Sequence, residues 1–346
     1  MKWGAAAWCL LAVGAAPGQE PQGRPDSYRE EARVERVVVD AYVTDRRANV
    51  IPDLTAADFL VKVDGQPVPL ESVEWIPADT PEINASAVGT SPGTSDLPEI
   101  APGRLIVLFF QTDFDPVRMI GLMRMGNNVR RMLAKLLPTD RVAVVSYDSH
   151  LKLRQDFTID RGKIEAALDA SIRASEPPLP EDPASPSLAR FFDFAAAKKA
   201  STIERGLYLV ARALRAIPGA KSLLFFGYGL GTIGGMGGPG PKERRDYSMA
   251  LYFLAFARTN VFVLDITDAD YHSLETSLQH ISDMTGGTYE KTRIFGNLAL
   301  ERVRRAISGR YILVFVKPPG PRGVHEISVS LIRVTGDISF RKYYTD

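Results

Sequence analysis

Cysteine is almost missing from this sequence: Cys9 is the only one among 346 residues. It lies in an apolar N-terminal stretch. If that stretch is removed, the chain has no disulfide, no thiolate metal site and no cysteine nucleophile. Histidine is scarce as well. His150, His272, His280 and His325 show no His-Glu-x-x-His spacing, and none stands beside an evident nucleophile. Neither a P-loop nor a Gly-x-Ser-x-Gly elbow occurs. Surplus charge is missing too, with 42 Lys and Arg against 41 Asp and Glu. That balance gives no electrostatic reason to expect nucleic acid or an anionic membrane as partner.

What is present is a leader followed by two kinds of pattern. Residues 1–18 read as an export signal: Lys2 supplies the positive start, Trp3–Val13 the apolar segment, and Gly14–Gly18 a small-residue region for cleavage after Gly18. The apolar run is shorter than the roughly 20 residues that span a bilayer, so no integral membrane segment is expected after cleavage. The mature chain is expected to be secreted or periplasmic.

Residues 34–78 read as a small β unit. Glu35–Thr44 alternates as a strand, Asp53-Leu54-Thr55 caps a short segment, and Phe59–Val63 leads through Asp64-Gly65 into a returning strand at Val68–Ile76. Residues 79–103, rich in Pro, Ser, Thr and Gly, have linker composition.

Residues 104–309 carry a repeating α/β pattern. Leu105–Phe110 is a continuous apolar run, suited to a strand buried on both faces at the centre of a doubly wound, mostly parallel sheet. Helix Val117–Leu137, strand Arg141–Tyr147, an antiparallel edge at Leu151–Phe157 and helix Arg161–Ala174 follow. Beyond a Pro-rich insertion, one long helix is expected over Leu188–Ile217. Strand Lys221–Phe226, helix Asp246–Thr259, strand Asn260–Ile266, helix His272–Thr285, strand Thr288–Lys291 and helix Leu298–Ser308 complete the set. Residues 310–346 return to β character, with strands at Tyr311–Val316, Glu326–Ile332 and Ile338–Tyr344. Two β units too small to stand alone flank a complete layer architecture, so they are expected to pack together as one companion domain.

Several stretches carry a family resemblance: RLIVLFF at 104–110, DRVAVVSYDSHLKLRQDFTIDRGKIEAALDA at 140–170, TNVFVLDI at 259–266, LQHISDMTGGTYEK at 278–291 and GRYILVFVKP at 309–318. Together with VVVDAYVTDRRANVIPDLTAADFLVKVDGQPV at 37–68, they resemble the von Willebrand factor type A-related proteins secreted by bacteria. The resemblance implies a type A-like α/β domain and protein binding through a metal-ion-dependent adhesion site of oxygen ligands on three loops. This sequence departs from that motif. The first Asp position falls on Gln111, the two Ser positions on Asp113 and Asp115, the Thr position near Ser201 or Thr202, and the last Asp on Tyr228. An altered site would use Asp113, Asp115 and Thr202 for Mg²⁺ or Ca²⁺. The other reading of the two carboxylates is a solvated loop or the N-cap of the next helix, and with it no cofactor.

Two further patterns have plain readings. Gly229–Gly234 spells G-x-G-x-x-G, but Gly235, Gly237, Gly238, Pro239, Gly240 and Pro241 follow, so it reads as a surface loop rather than a dinucleotide site. Asp265, Asp268 and Asp270 read as a solvated turn, and Phe191, Phe192 and Phe194 as ordinary packing onto the sheet. The functional expectation is a non-enzymatic binding protein with an unidentified protein partner, recognised by loops 111–116, 176–201, 227–246 and 265–272. The alternatives are a divalent-cation-dependent enzyme or adhesion domain using Asp113 and Asp115, and a structural component of a cell-envelope assembly.

Overall fold

Leu105–Gln111, buried along its whole length, is the middle strand of a six-stranded sheet. The computed structural model describes residues 35–78, 103–112, 115–173, 175, 186–231 and 241–346. The expected signal peptide and all but the last residue of the expected linker lie outside them.

In chain order the strands are β1 (Arg36–Thr44), β2 (Phe59–Val63), β3 (Gln66–Val68), β4 (Ser72–Pro77), β5 (Leu105–Gln111), β6 (Arg141–Tyr147), β7 (Leu151–Thr158), β8 (Lys221–Gly227), β9 (Thr259–Asp265), β10 (Tyr289–Lys291), β11 (Gly309–Val316), β12 (Val324–Leu331), β13 (Asp337–Phe340) and β14 (Tyr343–Thr345). The helices are α1 (Pro116–Leu133), α2 (Arg161–Ile172), α3 (Phe194–Lys198), α4 (Ile203–Arg215), α5 (Pro241–Phe256), α6 (Glu275–Thr285) and α7 (Gly296–Ala306). The large sheet runs β10-β9-β8-β5-β6-β7. Every neighbour is parallel except the edge strand β7, which runs antiparallel to β6 as its alternating sequence suggests.

A strand's side chains point alternately to the two faces, which accounts for the two cores. Val107 and Phe109 of β5 join Leu207, Val210 and Leu214 of α4 and Leu254 of α5. Ile106, Leu108 and Phe110 join Leu122, Met125 and Val129 of α1, Leu168 of α2 and Val303 of α7. Phe109 and Phe110 are wholly buried, each stabilising the fold by about 1.5–3 kcal/mol.

The chain ends build two antiparallel sheets, β13-β1-β11-β4 and β14-β12-β2-β3. They enclose a third core containing Val39, Val61, Tyr311, Phe315, Ile327 and Tyr344. The fold class is therefore α/β with a β-rich companion formed from N- and C-terminal strands. β1 and β11 are buried on both faces: Val37, Val39 and Val43 enter the sandwich core, while Tyr42 enters the α/β core. Between these apolar positions Asp40 is buried against Arg258 and Arg310.

Three expectations need correction. The long helix over 188–217 is broken into a 3-10 turn at Ala189–Phe191, the short α3 and α4. Asp193 and Thr202 each accept a hydrogen bond from the backbone N–H three residues on, and this local capping competes with helix continuation. The expected returning strand at 68–76 is divided: β3 pairs with β2, whereas β4 pairs with β11 in the other sheet. The last expected strand is likewise split between β13 and β14, in different sheets.

Candidate functional site

Two of the candidate ligand positions, Gln111 and Tyr228, come together where β5 and β8 end, at the carboxyl edge of the sheet, the usual ligand-binding edge in open α/β folds. Gln111 ends β5 and is buried. Its Oε1 accepts hydrogen bonds from the backbone N–H groups of Tyr228 (3.1 Å) and Gly229 (3.3 Å), which tie the loop after β8 to the central strand. Gly227 makes room for this: a Cβ there would sit 2.7 Å from that Oε1 and 2.2 Å from the Phe225 ring. Beside Gln111, Thr112 N–H and Oγ1 both donate to the Tyr147 carbonyl, at 2.8 and 3.0 Å.

Asp115 is exposed and receives Arg118 N–H on Oδ1 at 3.3 Å, the geometry of a helix cap at the start of α1. Thr202 caps α4, its Oγ1 accepting from Arg205 N–H at 3.2 Å. The Arg118 guanidinium lies over the Tyr228 ring, 4.0 Å from its centroid. Asp113 lies outside the described residues. Glu204, buried in the first turn of α4, accepts from Gly231 N–H. Burial, followed by the negative charge of Glu204, pushes the Tyr147 phenol up to about 12, so it stays protonated at neutral pH.

These groups do not fit a divalent cation. Gln111 offers a neutral oxygen already engaged by two N–H donors, and Tyr228 offers no carboxylate and has the Arg118 guanidinium against its ring. A hard divalent ion requires about six oxygen ligands, several of them anionic. Among the described residues, no group of three His, Cys, Asp or Glu is placed to hold a metal ion.

A buried carboxylate stands at the same edge. Asp265, expected in a solvated turn, is buried at the end of β9. Its Oδ2 accepts from the Tyr289 hydroxyl at 2.6 Å and lies 2.6 Å from His272 Nε2, and its Oδ1 accepts from Thr267 N–H at 3.0 Å. Its carbonyl accepts from Thr292 N–H and Oγ1. Burial and then the bond to Asp265 push the Tyr289 phenol far above its ordinary value, which keeps it a donor. Arg293 pairs with Asp268 and Asp270, and Lys291 Nζ donates to the Asp270 carbonyl. The 266–274 turn is thereby fastened from beneath, and Tyr271 stands out from it, 86% exposed, with Lys291 Nζ 4.6 Å from its ring centroid. The strand-end Asp, the His and the Tyr were each visible in sequence, but only the parallel pairing of β9 with β10 brings Tyr289 beside Asp265. Of the three phenylalanines, Phe192 is buried and stacks edge-on with Phe194, while Phe191 stays partly exposed.

No protein-family model matches the chain, and no curated protein matches its sequence. Solved structures similar to it include the PilB minor pilin from Streptococcus sanguinis, at 12% identity and TM-score 0.39, covering 59% of this chain and 61% of that one. Another is von Willebrand factor type A from Catenulispora acidiphila, at 11% identity and TM-score 0.42, covering 86% of this chain and 74% of that one. A third is the conserved hypothetical protein BatB from Bacteroides thetaiotaomicron, at 13% identity and TM-score 0.39, covering 60% and 98%. This chain thus spans about three fifths of the pilin's length. Identity this low and superposition this loose say nothing of activity or partner.

Proposed function

We propose that the chain is a secreted or periplasmic, non-enzymatic binding protein of adhesive or scaffolding role. It recognises a protein partner through the rim at the carboxyl edge of the large sheet, without a divalent cation. In this reading residues 104–309 form the recognition domain, inserted into a β domain built from 34–78 and 310–346. The positions that resemble a metal-dependent adhesion site, Gln111, Asp113, Asp115, Thr202 and Tyr228, are degenerate.

The observation that carries the reading is the exposed ring of Tyr271 on a turn held rigid by buried Asp265. Aromatic side chains dominate protein interfaces, and a turn that is already ordered loses little entropy on binding. Arg118 over Tyr228 supports the metal-free part, since a guanidinium already lies against one of the degenerate ligand positions.

Panning a displayed library of random dodecapeptides on the full chain, with and without EDTA, tests the proposal. Enriched peptides should persist in EDTA and be lost on Tyr271→Glu. Failure to enrich any sequence sinks the binding reading. Enrichment abolished by EDTA sinks the metal-free part.

A further inference from the structure

A cleft of about 490 Å³ opens between α3, α4 and the first turns of α5, beside the Thr202 cap. That volume suits a short peptide segment or a sugar. Lys199, Arg205 and Arg245 line it, against one carboxylate, Asp246. Asp246 is only 7% exposed. Its Oδ1 takes Arg205 Nη1 at 3.2 Å, while Oδ2 is buried without a hydrogen-bond partner among the described residues. Lys199 and Arg245 are exposed and make no ion pair among the described residues.

We propose that this cleft binds an acidic peptide segment of the partner, its side-chain carboxylates meeting Lys199 and Arg245 and a backbone N–H meeting Asp246 Oδ2. The assignment rests on the protein-binding reading above and gives it a ligand class. Two excess cations call for an anion, and the buried acceptor calls for a donor on the same ligand, since buried polar groups are rarely left unsatisfied. A fully ionised phosphate or sulfate has no donor to give, and its charge would face that of Asp246. A peptide carries carboxylates and amide N–H groups together. An acidic sugar pairs carboxylates with hydroxyl donors, but it would want an open aromatic face for its ring. Tyr208, the aromatic side chain in the cleft, has the Arg205 guanidinium 4.9 Å from its centroid and the Phe253 ring edge-on at 5.6 Å. Half-buried Met249 leaves an apolar wall for a neighbouring side chain.

The test uses the full chain and four probes: acetyl-Gly-Glu-Leu-Glu-Gly-amide, its Gln counterpart, trigalacturonate and inorganic phosphate, followed by saturation-transfer NMR. The Glu peptide should bind and weaken as salt rises. The Gln peptide should bind roughly tenfold more weakly or worse, the size expected on losing charge-assisted hydrogen bonds. The double variant Lys199→Glu, Arg245→Glu, both positions exposed, should lose the Glu peptide while keeping wild-type ellipticity and Tm. Equal binding of the two peptides overturns the proposal. So does preference for trigalacturonate or phosphate, or undiminished Glu-peptide binding by the double variant. If library-selected peptides bind and depend on Tyr271 while the Glu peptide ignores the cleft, this assignment fails and rim recognition stands. If neither binds, both fail.

Discussion

Replacing Asp40 by Asn should be among the most destabilising single changes in this chain. Asp40 sits on the face of β1 turned toward the α/β layers and receives Arg258 through two hydrogen bonds, 2.8 and 2.7 Å, and Arg310 through a third, 3.0 Å. Half-buried Arg341 lies within its field and donates to the carbonyls of Ala255 and Val38. One carboxylate therefore serves three largely buried guanidiniums, and the Ala255 carbonyl at the end of α5 helps to satisfy one of them. Asn keeps the shape but removes the charge, and it turns an NH₂ toward guanidinium donors. Breaking a buried pair in this way costs about 3–5 kcal/mol, a large share of the 5–15 kcal/mol or so that holds a typical domain. Urea denaturation followed by Trp75 fluorescence, which reports the β layers, and by far-UV ellipticity measures the loss. Acid dependence provides a second check. Burial raises the Asp40 carboxyl, but Arg258, then Arg310 and Arg341, outweigh it and hold the group well below its ordinary 3.8. A carboxyl depressed in the folded state contributes stability that is complete above the unfolded value and lost as pH falls toward the folded one. The gap between wild type and Asp40→Asn should thus be widest near neutrality and narrow below about pH 4. A loss under about 1 kcal/mol at pH 7, or a gap that does not narrow in acid, refutes the reasoning.

Further outcomes follow from the same contacts. Gln111→Ala strands the N–H groups of Tyr228 and Gly229, so stability should fall by about 1–3 kcal/mol; a change within experimental error in urea would show that water replaces the amide. Gly286→Ala should cost about 1–3 kcal/mol and lower Tm, because φ is +79° and a Cβ would meet the Phe340 carbonyl carbon at 2.4 Å; an unchanged Tm would mean the α6 cap relaxes freely. Deleting residues 324–346 removes the partner of β2, and amide exchange should then lose protection at Phe59–Val63 together with β1. Full protection at Phe59–Val63 would make the N-terminal strands independent of the C-terminal ones.

The central sheet was legible because burial on both faces leaves a mark in sequence: LIVLFF cannot be a half-exposed strand, and LKLRQDF cannot be an interior one. Gly286 announced the end of α6 for a similar reason, since its left-handed conformation suits glycine. Other features lacked such marks. The run 188–217 reads as one helix by composition, and only the competition of Asp193 and Thr202 for nearby N–H groups divides it. In the 68–76 run Pro69 and Glu71 mark a break between β3 and β4, but nothing local tells that the two strands belong to different sheets.

The candidate site was legible in position and much less so in chemistry. Thr202 caps α4, while Gln111 and Tyr228 do meet, where β5 and β8 end side by side. What they do there depends on partners far away in sequence: a glutamine in a motif position looks like a lost ligand until two N–H groups of the next strand's loop are found on its oxygen. Asp265 makes the same point from the other side. Beside Asp268 and Asp270 it looks like one of three solvated carboxylates, and only Tyr289 and His272 reveal it as the buried fastener of a turn. Charged residues in loops take their meaning from pairings across the sheet. The sequence pattern therefore locates the rim, and the pairings decide which of its charges are fixed inside and which, such as Lys199 and Arg245, remain facing outward for a partner.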